Sequence, residues 1–319
     1  MADSETYHPG KAASDTINEA APEANFFLPR TTPSTGTTLS SDDWPQNKKI
    51  PKLFEPITIK GMEFKNRLVE PLPDFATSFR NLGLELTSLA LVNSIFLAPM
   101  CQYSAKAEGD EAGAVTPWHT VHLGQFAQRG AACVMVEATS VLPNGRISPQ
   151  DLGLWNDTQR DALKGVFDII RSLGSRPAIQ LAHAGRKAST LAPWLDTSTI
   201  KAPLKSHVAT NGDSSGWTDN VWAPSALSYD DDTFPMPKEM TEGDLEELKK
   251  AWKDATIRVD QAGADVLEIH AAQYVFFSDS DPCDSAADSS PFCFCSGYLV
   301  HEFLSPVANK RTDKYGGSL

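Results

Sequence analysis

Basic residues are scarce in this sequence. Its 319 residues include 28 Lys and Arg against 41 Asp and Glu, a net charge of −13. Binding to a phosphate backbone needs clustered Lys and Arg, so this balance argues against nucleic acid as a partner. It argues equally against docking on anionic membrane surfaces. Long apolar runs are missing too. The longest, near 86–100, is broken by Thr87, Ser88, Asn93 and Ser94 and falls short of the ~20 residues a membrane helix needs. The opening stretch, MADSETYHPGKAASDTINEA, has neither the basic n-region nor the apolar h-region of a secretory leader. Five cysteines, an odd number, fit no closed disulfide framework. Cys283, Cys293 and Cys295 have no His at ligand spacing beside them, which weighs against a zinc site. These absences predict a cytoplasmic protein with reduced thiols.

The composition is that of a globular protein, 41% hydrophobic and 22% charged, with enough apolar material for one large domain or two small ones. Residues 1–48 are rich in Ser, Thr, Pro, Asp and Ala and read as a disordered tail. LFEPITIKGMEFKNR then alternates like a hairpin around Lys60-Gly61. Beyond it a regular pattern begins. IFLAPM (95–100), ACVMVEAT (132–139), AIQLAH (178–183) and VLEIHA (266–271) are short apolar runs. Helical stretches separate them. One runs from about Trp118 to Arg129. A second runs from an Asn156 cap to about Leu173 and is closed by Gly174. A third runs from Thr241, with Asp244 three residues on, to Gly263. Alternation of strand and helix, with strands apolar on both faces, predicts an α/β fold with a parallel sheet covered by helices. Polar residues gather where the strands end: Cys101 and Gln102, Glu137 and Thr139, Gln180 and His183, and His270. Chemistry in such folds collects at the carboxyl ends of strands, in sites that handle small molecules.

Each candidate has two readings. Cys101 and Tyr103 in APMCQYSA are either a buried thiol with a loop aromatic, or a backbone packed on a flat ligand with a polarizable sulfur beside it. Gln180 in QLAHAGRKAS is either structural or the amide that serves a heterocycle with both donors and acceptors. His270 and Gln273 in EIHAAQ, three apart, face the same way on a helical turn and can then grip one carbonyl oxygen as an enolate develops. The other reading of His270 is a satisfied core residue. Tyr298 in GYLVHEFLSP is either an aromatic cover or a phenol, of ordinary pKa ~10, that donates a proton to a carbanion-like carbon. His301, Glu302, Asn309, Arg311 and Asp313 read as a surface network.

Taken in order, LFEPITIKGMEFKNR, LAPMCQYSA, TPWHTVHLGQFAQRGAACVMVEATSVLPNGRIS, LGLWND, IQLAHAGRKAS, FPMPKEMT, EIHAA and GYLVHEFLSPVANKRTDKYGGS resemble the Old Yellow Enzyme family, in its bacterial-type branch that also occurs in fungi. The resemblance covers most of residues 52–319. It implies a (β/α)₈ TIM barrel that binds FMN and uses NADPH to reduce the C=C bond of α,β-unsaturated carbonyl compounds. It implies that Ala98, Pro99, Met100 and Cys101 form the flavin-contacting strand end, with Cys101 tuning the flavin. Ala138 and Gln180 are further flavin contacts by the same resemblance. Tyr103 and His270 are implied substrate contacts, His270 holding the carbonyl oxygen beside Gln273, where the family has His or Asn. Tyr298 is the implied acid that protonates the α-carbon. No metal is implied.

The sequence also departs from the family. Residues 273–296 separate EIHAA from GYLVHEF, which the family joins directly. A donor reading Gln-Tyr-Val and a pyrimidine-rich tract behind FCFCS match a translated intron. A second interruption lies at about 68–94. The alternative is two genuine inserted loops. The chain ends at GGSL, after the fourth strand, whereas such a barrel takes about 250 residues. The family's fifth-strand arginine and the phosphate-binding loops after strands seven and eight have no counterpart. The expected organisation is therefore a tail over 1–48 and about the first four βα units over 49–319, a fragment of weak or no activity. The alternatives are the N-terminal part of a larger iron–sulfur flavoenzyme on the same barrel, and a non-catalytic half barrel that pairs with a partner chain or a second copy of itself.

Overall fold

The computed structural model describes residues 95–193, 195, 208–209, 215–231, 234–271 and 298–316, with the backbone of 17–20, 29–32, 57–59 and 62–64. Gln273, Cys283, Cys293, Cys295 and both interruptions, 68–94 and 273–296, lie outside the described residues. In the N-terminal segment, β1 (Ile17–Ala20) pairs antiparallel with β2 (Pro29–Thr32). β3 (Ile57–Ile59) pairs antiparallel with β4 (Met62–Phe64), Ile57 opposite Phe64, as the alternating pattern around Lys60-Gly61 requires.

The main body repeats strand and helix. In chain order it comprises β5 (Phe96–Leu97), α1 (Pro117–Gln128), β6 (Cys133–Ser140), α2 (Asp157–Ser172) and β7 (Arg176–Ala182). A short parallel pair follows, β8 (Trp222–Ala223) with β9 (Lys238–Glu239), then α3 (Glu242–Ala262), β10 (Val266–Ile269) and α4 (Leu299–Leu304). The four-stranded sheet has the order β10-β7-β6-β5. Its β5–β6 and β7–β10 pairs are parallel. Spatial order follows chain order, the outcome of feeding each strand through a helix to its neighbour.

β6 is buried along its whole length, but β10 is not: Val266 and Leu267 are half-buried and Ile269 is 40% exposed. β10 and β5 flank the described sheet and have a described neighbour on one side only. β5 is also shorter than its apolar run, because Pro99 has no N–H to continue the ladder.

Local signals set the helices. Asn156 and Gln159 form a reciprocal cap: Gln159 N–H donates to Asn156 Oδ1 at 3.0 Å, and Asn156 N–H donates to Gln159 Oε1 at 3.1 Å. Leu163, Val166, Phe167 and Ile170 then form the buried stripe of α2 at helical spacing. Thr241 and Asp244 cap α3 in the same reciprocal way, and Gly263, at φ 89°, closes it in the left-handed region.

By backbone contacts the chain divides into two units. One comprises 1–98, 120–135 and 165–177, and the other 99–119, 136–164 and 178–319. Within the first, Ala132 N–H donates to Ile95 O at 2.8 Å and Arg176 N–H to Ala132 O at 2.9 Å, tying the starts of the strands together. The carboxyl ends of β6, β7 and β10 belong to the second, with every candidate site residue except Ala98.

The cap of α3 yields a direct test. Thr241→Ala removes both the hydroxyl acceptor and the docking point of the Asp244 carboxylate, and is expected to cost about 1 kcal/mol in urea unfolding with the far-UV spectrum unchanged. An unchanged denaturation midpoint would contradict the capping role.

Candidate active site

Strand register brings the site together. Glu268 of β10 lies opposite Gln180 of β7. In that pair His270 N–H donates to Leu181 O at 2.8 Å, one residue beyond the Ile269–Leu181 match. Val141 N–H stands in the same relation to Ala182 O at 3.1 Å, which sets Ala138 of β6 beside Gln180. On the other side Phe96 pairs with Cys133 and Leu97 with Val134 before Pro99 ends the ladder. Beyond it the thiol of Cys101 meets the backbone of Ala138. Cys101, Ala138, Gln180 and Glu268 thus form one row across four strand ends. His270, two residues after Glu268, shares its face by the period-two alternation of a strand.

The Gln180 side-chain N–H donates to the Glu268 carboxylate, which orients the amide. Burial raises the Glu268 carboxyl above its ordinary range. Glu268 is the member of this row that sequence reasoning missed. Its signal was a lone acid inside the apolar run VLEIH.

Tyr298 occupies the N-cap position of α4 and packs against the buried cluster of Ala184, Ala188 and Val221, as Ile147 and Trp217 also do. Its ring lies against that of His270, centroids 4.4 Å apart and tilted by 47°. Leu299 N–H donates to His183 O at 3.0 Å, so the carboxyl end of β7 anchors the start of this helix. Glu302 adds a second anchor and corrects the surface reading: it is fully buried, and its Oε1 accepts the Arg186 N–H at 2.9 Å. Arg311 and Asp313 do pair, but the Arg311 side chain is 6% exposed and also donates to Pro224 O at 3.0 Å and Met240 O at 2.6 Å.

The loop after β5 holds Tyr103 at φ 47°, a left-handed conformation that costs a non-glycine residue roughly 1–2 kcal/mol. The Tyr103 and Cys101 side chains hydrogen-bond to each other. Gln102 N–H donates to Glu137 Oε1 at 2.9 Å, and Trp118 Nε1–H donates to Gln102 Oε1 at 3.1 Å. A cavity of about 360 Å³ opens beside Cys101, Gln102, Ser104 and Trp118. Met100, at the strand tip, is 47% exposed, and Ala98 and Pro99 are half-buried.

The electrostatics favour protonated acids and a neutral imidazole. Burial, then the negative charges of Asp151 and Glu137, push the Cys101 thiol far up. Burial and the neighbouring Cys101, Asp151 and Glu137 do the same to the Tyr103 phenol. Tyr298 is raised well above the ordinary phenol value by burial, with Cys101, Asp151 and Tyr103 adding to it. Burial lowers His270 to about 4, so it is a neutral donor near pH 7. His183, fully enclosed, is lowered to about 3 by burial alone and accepts the Gly185 N–H on Nδ1 at 3.1 Å. It is thus a core histidine, stacked on Trp222 with centroids 6.2 Å apart. The chemistry available is proton donation from Tyr298 beside neutral hydrogen bonding from His270, next to a row of thiol, backbone and amide.

Asp151 supplies a pH test. Its carboxylate accepts Ile147 N–H at 2.8 Å and Ser148 O–H at 2.7 Å, yet burial raises it from 3.8 to about 7. The folded chain therefore keeps this proton over an interval in which the unfolded chain has lost it. The resulting stability is fully present below pH 3.8 and is lost as pH rises through about 7. Asp151→Asn is expected to flatten the urea-midpoint profile between these limits, and a variant that keeps the wild-type slope would contradict this assignment.

Comparison with known proteins gives the site its context. A profile of the NADH:flavin oxidoreductase / NADH oxidase family matches residues 83–276. An NADH:flavin oxidoreductase of Gibberella zeae is 40% identical over 301 residues, covering 94% of this chain and 55% of that protein. An NADPH dehydrogenase of Bacillus licheniformis is 34% identical over 267 residues, covering 84% of this chain and 55% of that protein. Among solved structures, the Old Yellow Enzyme from Pichia sp. AKU4542 matches with a TM-score of 0.55 at 21% identity, over 84% of this chain and 52% of the other, a likeness of fold. Morphinone reductase matches with a TM-score of 0.50 at 25% identity, over 74% of this chain and 53% of the other. The chain spans about half the length of the curated relatives it matches. With a family profile that covers more than half of its length and relatives 40% and 34% identical over most of the chain, the chain belongs to the NADH:flavin oxidoreductase / NADH oxidase family, the family of Old Yellow Enzyme.

Proposed function

We propose that this chain carries the FMN-binding and substrate-polarising half of an NAD(P)H-dependent oxidoreductase that reduces the C=C bond of α,β-unsaturated carbonyl compounds. The activity of the longer relatives is a proposal for this chain. The observation that carries it is the packing of Tyr298 on His270 next to the row Cys101–Ala138–Gln180.

The residues present fit an isoalloxazine ring. A flat heterocycle with donors and acceptors along one edge suits the Gln180 amide, oriented by Glu268, and the backbone of Ala138. The Cys101 thiol, kept protonated by burial, is a soft neutral neighbour for a π-system whose electron count changes. Pro99 and Met100, in the same unit, precede Cys101 directly in the chain. FMN held along this edge and reduced by NADPH would supply the hydride for the substrate β-carbon.

The chain's own residues do the rest. His270, neutral at pH 7, donates an N–H to the substrate carbonyl oxygen, where negative charge grows. Gln273 stands in sequence where a second donor to that oxygen belongs. Tyr103 borders the substrate from the loop after β5. The Tyr298 O–H delivers its proton to the α-carbon. Its raised pKa keeps the donor loaded throughout the physiological range.

This division of labour separates in half-reactions. Tyr298→Phe is expected to leave reduction of the bound flavin by NADPH unchanged. It should slow reoxidation by 2-cyclohexenone by about 10²-fold or more, the usual contribution of a positioned acid. Stopped-flow absorbance resolves the two phases, and equal reoxidation rates in both proteins would refute the role of Tyr298.

A further inference from the structure

The loop that follows β5 is held from both sides, and its most strained residue sits at the centre. Tyr103, at φ 47°, is a bulky residue in a conformation that persists only when its surroundings impose it. The Glu137 carboxylate accepts the Gln102 N–H at 2.9 Å, immediately before Tyr103. Thr116 Oγ1–H donates to Ser104 O at 2.9 Å, immediately after it. His119 lies between the two grips. Its Nδ1 accepts the Thr116 N–H at 3.0 Å, which leaves the ring hydrogen on Nε2, 3.7 Å from the same Glu137 oxygen that holds Gln102. His119 is fully buried and Glu137 is 2% exposed, so solvent competes with neither contact. Among the described residues, Glu137 Oε2 and His119 Nε2 have no hydrogen-bond partner, an arrangement costly for a merely structural pair.

We propose that Glu137 and His119 are positioning residues: with Thr116 they form a buried clamp that imposes the left-handed backbone at Tyr103 and so holds the Cys101–Tyr103 pair at the strand ends. The consequence for substrate rests on the reading of Tyr103 as a substrate contact. Glu137 acts through the backbone, because a carboxylate oxygen reaches the Gln102 amide where no β-ladder neighbour does. Its charge also bears on Cys101 and Tyr103, helping to keep thiol and phenol protonated. Neither His119 nor Glu137 touches substrate in this scheme.

The test separates the grip from the charge. Glu137→Gln keeps an oxygen for the Gln102 N–H and removes the charge, whereas Glu137→Leu removes both. In the full chain, amide exchange read by mass spectrometry on peptides spanning 101–104 is expected to stay slow in Glu137→Gln. In Glu137→Leu it should accelerate by roughly tenfold, the loss of one charge-assisted hydrogen bond, while peptides from α2 and α3 stay unchanged. Cys101 alkylation, resolved by peptide mass, should accelerate in parallel. If Glu137→Leu loosens α2 and α3 as well, Thr116→Val decides, since it removes the hydroxyl that holds Ser104 O and contacts His119 Nδ1 at 3.1 Å while leaving Glu137 in place. A 101–104 segment as protected as in the wild type, in whichever of Glu137→Leu and Thr116→Val keeps its fold, overturns the clamp. With FMN and 2-cyclohexenone, Glu137→Leu should raise KM more than it lowers kcat, as Tyr103→Ala should. A loosened loop with KM unmoved would refute the substrate role of Tyr103 and leave the clamp standing.

Discussion

Parallel register is the constraint from which the rest of this structure follows. Glu268 opposite Gln180, and the hydrogen bonds that extend the pairing to His270 and Val141, place residues from distant parts of the sequence at one level. A shift of one residue in any strand would turn its side chain to the other face and break the row. The polar edge exists because the apolar runs are apolar: burial of β6 and β7 fixes the register, and the register fixes the chemistry. The same logic explains why the strands end where they do. Pro99 ends regular pairing in β5, which frees the following residues to form the loop that carries Cys101 and Tyr103.

The electrostatic character of the site comes from acids placed behind it. Asp151 and Glu137 are both buried, and their charge opposes ionisation of Cys101 and Tyr103, while Asp151 also opposes that of Tyr298. Three weak acids near one another would each be easier to ionise beside a cation. Here the environment holds their protons, as the proposed role of Tyr298 as proton donor requires. Glu302 and His183 serve a different end. Glu302, raised to about 8 by burial, grips the backbone of Arg186, and Leu299 binds the carbonyl of His183. Two independent contacts therefore fix the helix that Tyr298 immediately precedes.

Much of this was legible in the sequence, and for identifiable reasons. The caps at Asn156 and Thr241 were readable because capping is local: the acceptor and the amide it serves lie three residues apart. The strand ends were readable because four apolar runs each stop at a polar residue. What the sequence could not convey was pairing across long separations. Glu302 looked like a surface residue of a charged segment, yet its partner is the Arg186 backbone, 116 residues away. Glu268 looked incidental until the register set it opposite Gln180, 88 residues away. Glu137 was visible as a polar residue in a buried run, but its service to Gln102, and the left-handed turn at Tyr103, depend on a loop whose path no periodicity encodes.

The central claim is that the row of strand ends binds the ring of a flavin. Titration of FMN into the purified chain, followed by quenching of flavin fluorescence, tests it most directly when wild type is set against Gln180→Leu. The account predicts saturable quenching by the wild type and clearly weaker binding by the variant, whose amide can no longer face the heterocycle. Quenching that is absent, or that is identical in the two proteins, would contradict it.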